Sequence, residues 1–149
     1  MKQGVHILVV DDEPIIRKSI SMLLEHDGHQ VWQADDGEAA LAEMAKRRFD
    51  LVITDFSMPG MHGDELVARI RQLLPDQPII MITAFVAEFK VFGQAAGRVD
   101  ALLFKPFSFK ELREAIEAAL TPGQPDQIGG LPPIVEPPHE SDWMPPPEP

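Results

Sequence analysis

The sequence predicts an α/β fold with a doubly wound, five-stranded parallel sheet that is flanked by five helices. Strand-like and helix-like segments alternate five times along the first 121 residues. The apolar runs at 7–10, 51–53 and 101–104 show no polar alternation, which is typical of strands buried on both faces. Charged residues follow these runs, either directly or after one residue. Because ligands of such sheets bind beyond the carboxyl ends of the strands, we expect a charged site there.

Apolar runs, apolar periodicity and capping residues define the predicted elements. Strands are predicted at 5–10, 30–34, 50–54, 78–82 and 101–104. Helices are predicted at 14–26, 37–47, 64–74, 86–96 and 109–120. Each strand is therefore followed by one helix, as the crossover connections of a parallel sheet require.

Capping residues support the first two helices. Pro14 lies in the first turn of the first helix, where its missing N–H costs nothing, and Gly28 lies beyond the end of this helix. Asp35 or Asp36 is the predicted N-cap of the second helix.

The later helices differ in how clearly they are marked. The third ends before Pro75, and the last begins with the capping box formed by Ser108 and Glu111. The predicted helix at 86–96 contains Gly93 and has no single apolar stripe.

A change in composition near residue 121 divides the chain. Residues 1–121 carry all 13 Lys and Arg residues and form the predicted domain. Residues 122–149 contain ten of the 15 prolines, no basic residue and five acids. Such a tail cannot continue a helix or a central strand, so we expect it to be extended and largely disordered.

Composition excludes several classes of function. The absence of cysteine rules out disulfides and thiolate chemistry. A net charge of −11 argues against direct binding of nucleic acid. No apolar run is long enough to span a membrane, and Met1 leads directly into the first strand, so we expect no signal peptide, no membrane partner and a cytoplasmic location.

The charged residues that follow the strands predict a cation site. Asp11, Asp12 and Asp55 should gather at one edge of the sheet together with Lys105. Crowded carboxylates repel one another unless a cation lies among them. A hard divalent ion such as Mg²⁺ suits oxygen ligands and a phosphate partner, and a lysine supplies charge for a phosphoryl oxygen.

Each of these residues has a simpler explanation when it is taken alone. Asp11 and Asp12 fit solvated turn acids or a helix N-cap, and Lys105 fits a surface lysine. Their occurrence together with Asp55 favours a functional site. The five histidines have no ligand spacing, so we interpret them as surface or packing residues.

The order of these motifs resembles the receiver domain of two-component response regulators, in the CheY-like superfamily. The motifs follow the first, third, fourth and fifth strands in turn: Asp11-Asp12, then Asp55 with Met58-Pro59-Gly60 behind it, then Thr83-Ala84, then Lys105-Pro106-Phe107. The resemblance covers about residues 4–121 and implies a flavodoxin-like fold.

The resemblance implies a magnesium site. Asp12 would ligate Mg²⁺ directly, together with the phosphoacceptor Asp55, and Asp11 would act mainly through bound water. The backbone carbonyl of Ser57 would complete the protein ligands.

The resemblance also implies roles in phosphoryl transfer. Asp55 would be the phosphoacceptor, a carboxylate nucleophile that forms an aspartyl phosphate. Lys105 would pair with a phosphoryl oxygen and precede a cis peptide bond to Pro106. The Thr83 hydroxyl would hydrogen-bond the phosphoryl group and so register phosphorylation.

Three positions matter for switching and lifetime. Leu102 stands where the family usually has Tyr or Phe, three residues before the lysine, which puts coupling of Thr83 to an aromatic ring in doubt. Phe85 and Ser57 occupy positions that help to set the hydrolysis rate of the acyl phosphate in this family. Phe85 offers no hydrogen bond to an attacking water.

The leading hypothesis is a phosphorylation-dependent signalling switch, not an enzyme that turns over a metabolite. A histidine kinase or histidine phosphotransfer protein would supply the phosphoryl group. The chain would act as a stand-alone receiver by binding a partner or by passing phosphate along a relay. By resemblance, the surface for a downstream protein target comprises the predicted helix at 86–96, the strand at 101–104 and the helix at 109–120.

Two alternatives compete with this hypothesis. A phosphohydrolase of the haloacid dehalogenase type also uses Mg²⁺ and an aspartate nucleophile at a strand end. It needs a second acid two residues later, where this chain has Ser57, and a cap domain that the chain lacks. A receiver-like interaction module without phosphorylation is the third hypothesis, and the intact set of acids argues against it.

Overall fold

A computed structural model describes residues 4–84 and 99–121 as a five-stranded, all-parallel sheet covered by helices on both faces. The strand order is β2-β1-β3-β4-β5. The strands are β1 (His6–Val10), β2 (Gln30–Ala34), β3 (Leu51–Asp55), β4 (Ile79–Thr83) and β5 (Ala101–Phe104). The helices are α1 (Pro14–His26), α2 (Gly37–Lys46), α3 (Gly63–Leu73) and α4 (Phe109–Leu120).

The predicted fold class is confirmed, with five parallel strands and four of the five predicted helices. The predicted helix at 86–96 and the tail at 122–149 lie outside the described residues. The division of the chain at residue 121 therefore stays a prediction. In the described part of the chain, no helix is long and apolar enough to cross a membrane.

Alternating side chains of the strands build two hydrophobic cores, one on each face of the sheet. Ile53 and Ile82 lie in the core covered by α1 and α4, whereas Val52 and Met81 lie in the core covered by α2 and α3. Every residue of β3 and β4 is buried. Burial on both faces explains why these strands are continuous apolar runs in the sequence.

The helix starts agree with the capping signals and settle one open choice. Asp36 rather than Asp35 caps α2, because its carboxylate accepts a hydrogen bond from the Ala39 N–H at 2.7 Å. Ser108 and Glu111 form both hydrogen bonds of the capping box at the start of α4.

Two ion pairs hold loops at the end of the sheet where the strands begin. Asp27, which follows α1, accepts hydrogen bonds from Arg113 of α4 at 2.8 and 3.0 Å. Asp100, which precedes β5, accepts a hydrogen bond from Arg71 of α3 at 3.1 Å. The Asp100 carboxylate also accepts one from the Ile79 N–H at 2.8 Å. Asp27 and Asp100 at this end therefore each have an arginine partner.

Candidate functional site

The strand ends carry the predicted site residues to one edge of the sheet. Asp11 directly follows β1, Asp55 is the last residue of β3, and Thr83 is the last residue of β4. Lys105 directly follows β5, and its N–H donates to the Thr83 carbonyl at 2.9 Å. β3 and β4 each extend one residue beyond the predicted end, so Asp55 and Thr83 are part of the sheet ladder and are held rigidly.

Four carboxylates lie together at this edge. One carboxylate oxygen from each of Asp11, Asp12, Glu13 and Asp55 lies within 4.8 Å of the others. We call these four residues the acid cluster. Asp11 and Asp55 are buried, whereas Asp12 is partly exposed and Glu13 is exposed. Their arrangement leaves one side of the cluster open to a ligand.

Lys105 is the cation that contacts the acid cluster. Its Nζ lies 3.5 Å from Oδ2 of Asp55, 3.7 Å from Oδ2 of Asp11 and 3.6 Å from Oε1 of Glu13. The Lys105 side chain is only 17% exposed, so solvent screens these pairs incompletely. The peptide bond between Lys105 and Pro106 is cis, as the resemblance implied.

The pKa values indicate that one lysine does not balance this much negative charge. Burial, and after it the neighbouring charge of Asp11, raises the pKa of Asp55 to about 6 against the opposing effect of Lys105. Burial also raises the pKa of Asp11, although Glu13 N–H and Lys105 act in the other direction. The site therefore favours any additional positive charge.

The residues of the acid cluster fit a hard divalent cation. Oδ1 of Asp11 accepts a hydrogen bond from the Glu13 N–H at 2.9 Å, whereas Oδ2 is buried and has no hydrogen-bond partner in the described part of the protein. A buried carboxylate oxygen without a hydrogen bond is costly, and the Lys105 ammonium at 3.7 Å offsets this cost only in part. The side-chain donors are all carboxylate oxygens, which are the ligands that Mg²⁺ and Ca²⁺ prefer. The cluster could therefore hold such an ion.

Sequence reasoning did not include Glu13 in the site. Its carboxylate joins the acid cluster and pairs with Lys105, while 58% of its side chain stays exposed. The one available signal was its position directly after the acid pair. A glutamate at the start of a helix has the simpler explanation of a favourable interaction with the helix dipole, so the sequence did not distinguish the two.

The predicted roles of Ser57 and Thr83 stay predictions. Ser57 lies exposed, two residues beyond the end of β3, where a backbone carbonyl was predicted to complete a metal site. Thr83 is buried at the end of β4, where its hydroxyl was predicted to bind a phosphoryl group.

The loop that follows Asp55 is fixed by close backbone packing. The Phe56 N–H donates to the Ile82 carbonyl and the Gly63 N–H donates to the Phe56 carbonyl, both at 2.8 Å. A Cβ atom at Gly63 would collide with the backbone of Asp55 and Phe56. Only glycine therefore allows α3 to begin this close to Asp55.

The position usually held by an aromatic residue is part of the core. Leu102 is 2% exposed and packs among the core residues covered by α2 and α3. Phe104 is half-buried and is the register partner of Thr83. Phe85 lies outside the described residues. An aromatic side chain therefore lies beside Thr83, although not at the position that the family resemblance indicated.

The structure is that of a doubly wound α/β protein with a cluster of carboxylates beyond the carboxyl ends of its strands. The family model for the response regulator receiver domain matches residues 7–117. The chain therefore belongs to the response regulator receiver domain family and is a CheY-like receiver domain of a two-component system. This match gives no support to the haloacid dehalogenase alternative.

Curated relatives differ in how much of their length the chain covers. The chain is 35% identical over 120 residues to the chemotaxis protein CheY-3 of Vibrio cholerae, and the match covers 78% of this chain and 92% of the relative. It is 39% identical to the phosphate regulon transcriptional regulatory protein PhoB of Pseudomonas aeruginosa over 137 residues, 86% of this chain and 59% of the relative. It is 36% identical to the probable transcriptional regulatory protein TcrX of Mycobacterium tuberculosis, over 79% of this chain and 50% of the relative. The chain thus spans about half the length of these two transcriptional regulators.

Solved structures share the fold. The chemotaxis protein CheY4 of Vibrio cholerae superposes with a TM-score of 0.73 at 37% identity, over 78% of this chain and 99% of that one. The response regulator TrrA of Thermotoga maritima, solved in complex with Mg²⁺-BeF, superposes with a TM-score of 0.71 at 37% identity, with the same coverage.

Proposed function

We propose that this protein is a phosphorylation-dependent switch that accepts a phosphoryl group on Asp55. Receiver domains of this kind take phosphoryl groups from histidine kinases and act through partners. The observation that carries the proposal is the contact of Lys105 Nζ with Asp55 Oδ2 at 3.5 Å, inside a cluster of three further carboxylates. This arrangement supplies a nucleophile and a cation side by side.

In the proposed step, the donor is a phosphohistidine of a histidine kinase or a histidine phosphotransfer protein. A carboxylate oxygen of Asp55 forms a bond to phosphorus while the phosphorus–nitrogen bond of the donor breaks. The electron pair stays on the imidazole nitrogen, which takes a proton from solvent. A pKa of about 6 leaves Asp55 ionised at neutral pH and makes it more basic than an ordinary aspartate.

Lys105 and Thr83 would stabilise the transferred group. Lys105 already lies beside Asp55 and would pair with a phosphoryl oxygen, because a lysine binds phosphate as a point charge. The Thr83 hydroxyl would donate to another phosphoryl oxygen. The hydrogen bond from Lys105 N–H to the Thr83 carbonyl holds the backbones of these two residues side by side.

The proposed cofactor is Mg²⁺, held by Asp11, Asp12, Asp55 and the backbone carbonyl of Ser57. Oδ2 of Asp11, which accepts no hydrogen bond in the described part of the protein, and the oxygen-only donors support this assignment, as does the complex of the similar protein TrrA with Mg²⁺-BeF. When bound, Mg²⁺ would neutralise negative charge on the phosphoryl oxygens during transfer.

The proposed output is protein binding and not turnover of a metabolite. The only reactions would be phosphorylation of Asp55 and later hydrolysis of the aspartyl phosphate, in a cytoplasmic setting. Near-complete coverage of CheY-3 supports a stand-alone receiver that binds a partner or relays phosphate. Coverage of about half of PhoB supports the alternative of a receiver fused to an output domain. The downstream target would bind the face that includes β5 and α4.

The test is mass spectrometry after incubation of the full chain with acetyl phosphate and Mg²⁺. We expect a mass gain of one phosphoryl group in the wild type and no gain in Asp55→Asn. Asp64→Asn, a change of another acid in the first turn of α3, is the matched control and should be phosphorylated like the wild type. Equal labelling of wild type and Asp55→Asn would contradict the proposed acceptor, and no labelling of the wild type would contradict the proposed function.

A further inference from the structure

Arg17 connects the acid cluster to the edge strand of the sheet. It lies in α1, and its Nη1 donates to the backbone carbonyl of Asp11 at 2.7 Å. Its Nε donates to Oε1 of Gln33, a residue of the edge strand β2, at 3.1 Å. Neither the sequence motifs nor the proposed phosphoryl transfer gives Arg17 a role.

The hydrogen bonds of Arg17 go to neutral oxygens and not to the carboxylates of the acid cluster. Within residues 4–84 and 99–121, Arg17 forms no ion pair with a carboxylate, whereas Lys105 pairs with three. A cation beside four acids would be expected to neutralise one of them. Here the guanidinium binds neutral oxygens, which suggests that its contribution is geometric.

The hydrogen bonds of Asp11 indicate what this geometry achieves. Its N–H donates to the Ala34 carbonyl at 3.1 Å, its carbonyl accepts from Arg17, and its Oδ1 accepts from the Glu13 N–H. The remaining oxygen, Oδ2, is buried without a hydrogen bond. Three hydrogen bonds therefore fix the residue, and Oδ2, which faces Lys105 Nζ at 3.7 Å without a hydrogen bond, can still accept a ligand.

We propose that Arg17 is a positioning residue for the cation site. Its hydrogen bond fixes the backbone at Asp11, so that the carboxylates of Asp11 and Asp12 would stay directed at a bound ion. This inference rests on the proposed Mg²⁺ site. Groups that orient metal ligands typically contribute about 10-fold or more to metal affinity. We therefore expect Arg17→Met, which keeps an aliphatic side chain but no donor, to weaken Mg²⁺ binding about 10-fold.

Simple electrostatics predicts the opposite result. Removal of a positive charge near a divalent site reduces repulsion of the ion, so a charge effect alone would tighten binding. Lys18→Met provides the matched control, because Lys18 is the next residue of α1, is exposed and carries the same charge. Because solvent and salt screen an exposed charge, we expect Lys18→Met to change Mg²⁺ affinity by about twofold at most, towards tighter binding.

The experiment is a titration of the metal-free full chain with MgCl₂ at constant ionic strength, followed by amide chemical shifts in NMR spectra. The variants are Arg17→Met, Arg17→Lys, Lys18→Met, Gln33→Ala and Asp12→Ala. We expect Arg17→Lys, which keeps one donor, to recover part of the affinity. Gln33→Ala, which removes the hydrogen bond between Gln33 and Arg17, should weaken Mg²⁺ binding less than Arg17→Met does.

Stability is measured on the same samples to separate positioning from general loosening. Arg113→Gln breaks an ion pair that lies away from the cluster, so it should lower thermal stability and leave Mg²⁺ affinity unchanged. Unchanged or tighter Mg²⁺ binding in Arg17→Met would overturn the inference. If Arg17→Met does not fold, unchanged affinity in Gln33→Ala would overturn it instead. Failure of the proposed Mg²⁺ site would give a different pattern of results. The wild type would then bind no Mg²⁺, and its titration would be the same as that of Asp12→Ala.

Discussion

The two ends of the sheet treat their carboxylates in opposite ways. Where the strands begin, Asp27 and Asp100 each receive hydrogen bonds from an arginine. The side-chain hydrogen bond from Arg113 is the main reason that the pKa of Asp27 lies below its ordinary value. Where the strands end, burial raises the pKa values of Asp11 and Asp55 although Lys105 lies beside both.

This difference separates structural acids from functional acids. A paired carboxylate stabilises the fold at neutral pH, whereas an underpaired buried carboxylate destabilises it. On the proposed function, the acid cluster gives up stability at the site for the ability to bind a cation and a phosphoryl group. The ion pairs of Asp27 and Asp100 provide an internal reference for the acid cluster.

The largest expected effect is the loss of phosphorylation in Asp12→Ala. This change removes a predicted direct ligand, so acetyl phosphate with Mg²⁺ should give no detectable mass gain. The fold should persist, with stability equal to or above that of the wild type, because repulsion inside the cluster decreases. Circular dichroism checks the fold on the same sample. A normal mass gain in this variant would show that phosphorylation does not require Asp12.

A smaller effect is expected on stability when Asp55 is made neutral. Without Mg²⁺ at pH 7, Asp55→Asn should raise the free energy of unfolding by about 1 to 3 kcal/mol, since one pKa unit corresponds to roughly 1.4 kcal/mol. The folded pKa is raised, so the cost of the ionised form appears as pH rises from about 4 towards about 6. Urea unfolding should therefore show a much smaller gap between the two proteins at pH 4.5 than at pH 7. Equal gaps at both pH values would exclude ionisation of Asp55 as the cause.

The opposite end of the sheet should show the opposite pH dependence. Arg113→Gln removes the partner of Asp27, whose folded pKa is lowered. A lowered pKa contributes stability above the unfolded pKa, and this contribution is lost as pH falls through the folded pKa. The melting temperature of Arg113→Gln should thus lie below that of the wild type at pH 7, and the difference should shrink at pH 3. The effect should be smaller than that of Asp55→Asn because Arg113 is well exposed.

The smallest effect is expected from removal of the tail. Truncation after Pro122 deletes five acids and no basic residue. We expect a change in unfolding free energy below about 1 kcal/mol, because so few apolar groups cannot offset the entropy of ordering the tail. Urea unfolding of the truncated and full chains at equal ionic strength measures it. A larger loss would mean that the tail packs on the domain, and Trp143 would be the first residue to substitute.

Much of the fold and site could be predicted because parallel strands share one carboxyl end. Once Asp55 and Lys105 are each assigned to the end of an apolar strand, their proximity follows from the topology alone. The capping box at Ser108 was equally visible, because it depends on residues three positions apart.

Features that depend on packing could not be predicted in this way. The direction of the Glu13 side chain depends on the angle at which α1 begins after Asp11 and Asp12. No local sequence pattern encodes this angle. The bond from Arg17 to Asp11 joins a helix to a loop carbonyl, and nearly any exposed arginine of a helix could satisfy the same sequence pattern. Burial of Leu102 was expected from its apolar run, whereas the pairing of Phe104 with Thr83 became visible only when the neighbouring strands were in register.

The most direct test of the contrast between the two ends is the Mg²⁺ dependence of thermal stability at pH 7. Binding to the folded state alone should stabilise the wild type by about 2.7 kcal/mol at 100 times the dissociation constant. Arg113→Gln should gain the same increment, Asp12→Ala should gain none, and NaCl at matched ionic strength should give only a small screening effect. An equal shift with MgCl₂ and NaCl, or an undiminished Mg²⁺ shift in Asp12→Ala, would contradict the account of the acid cluster as a cation site.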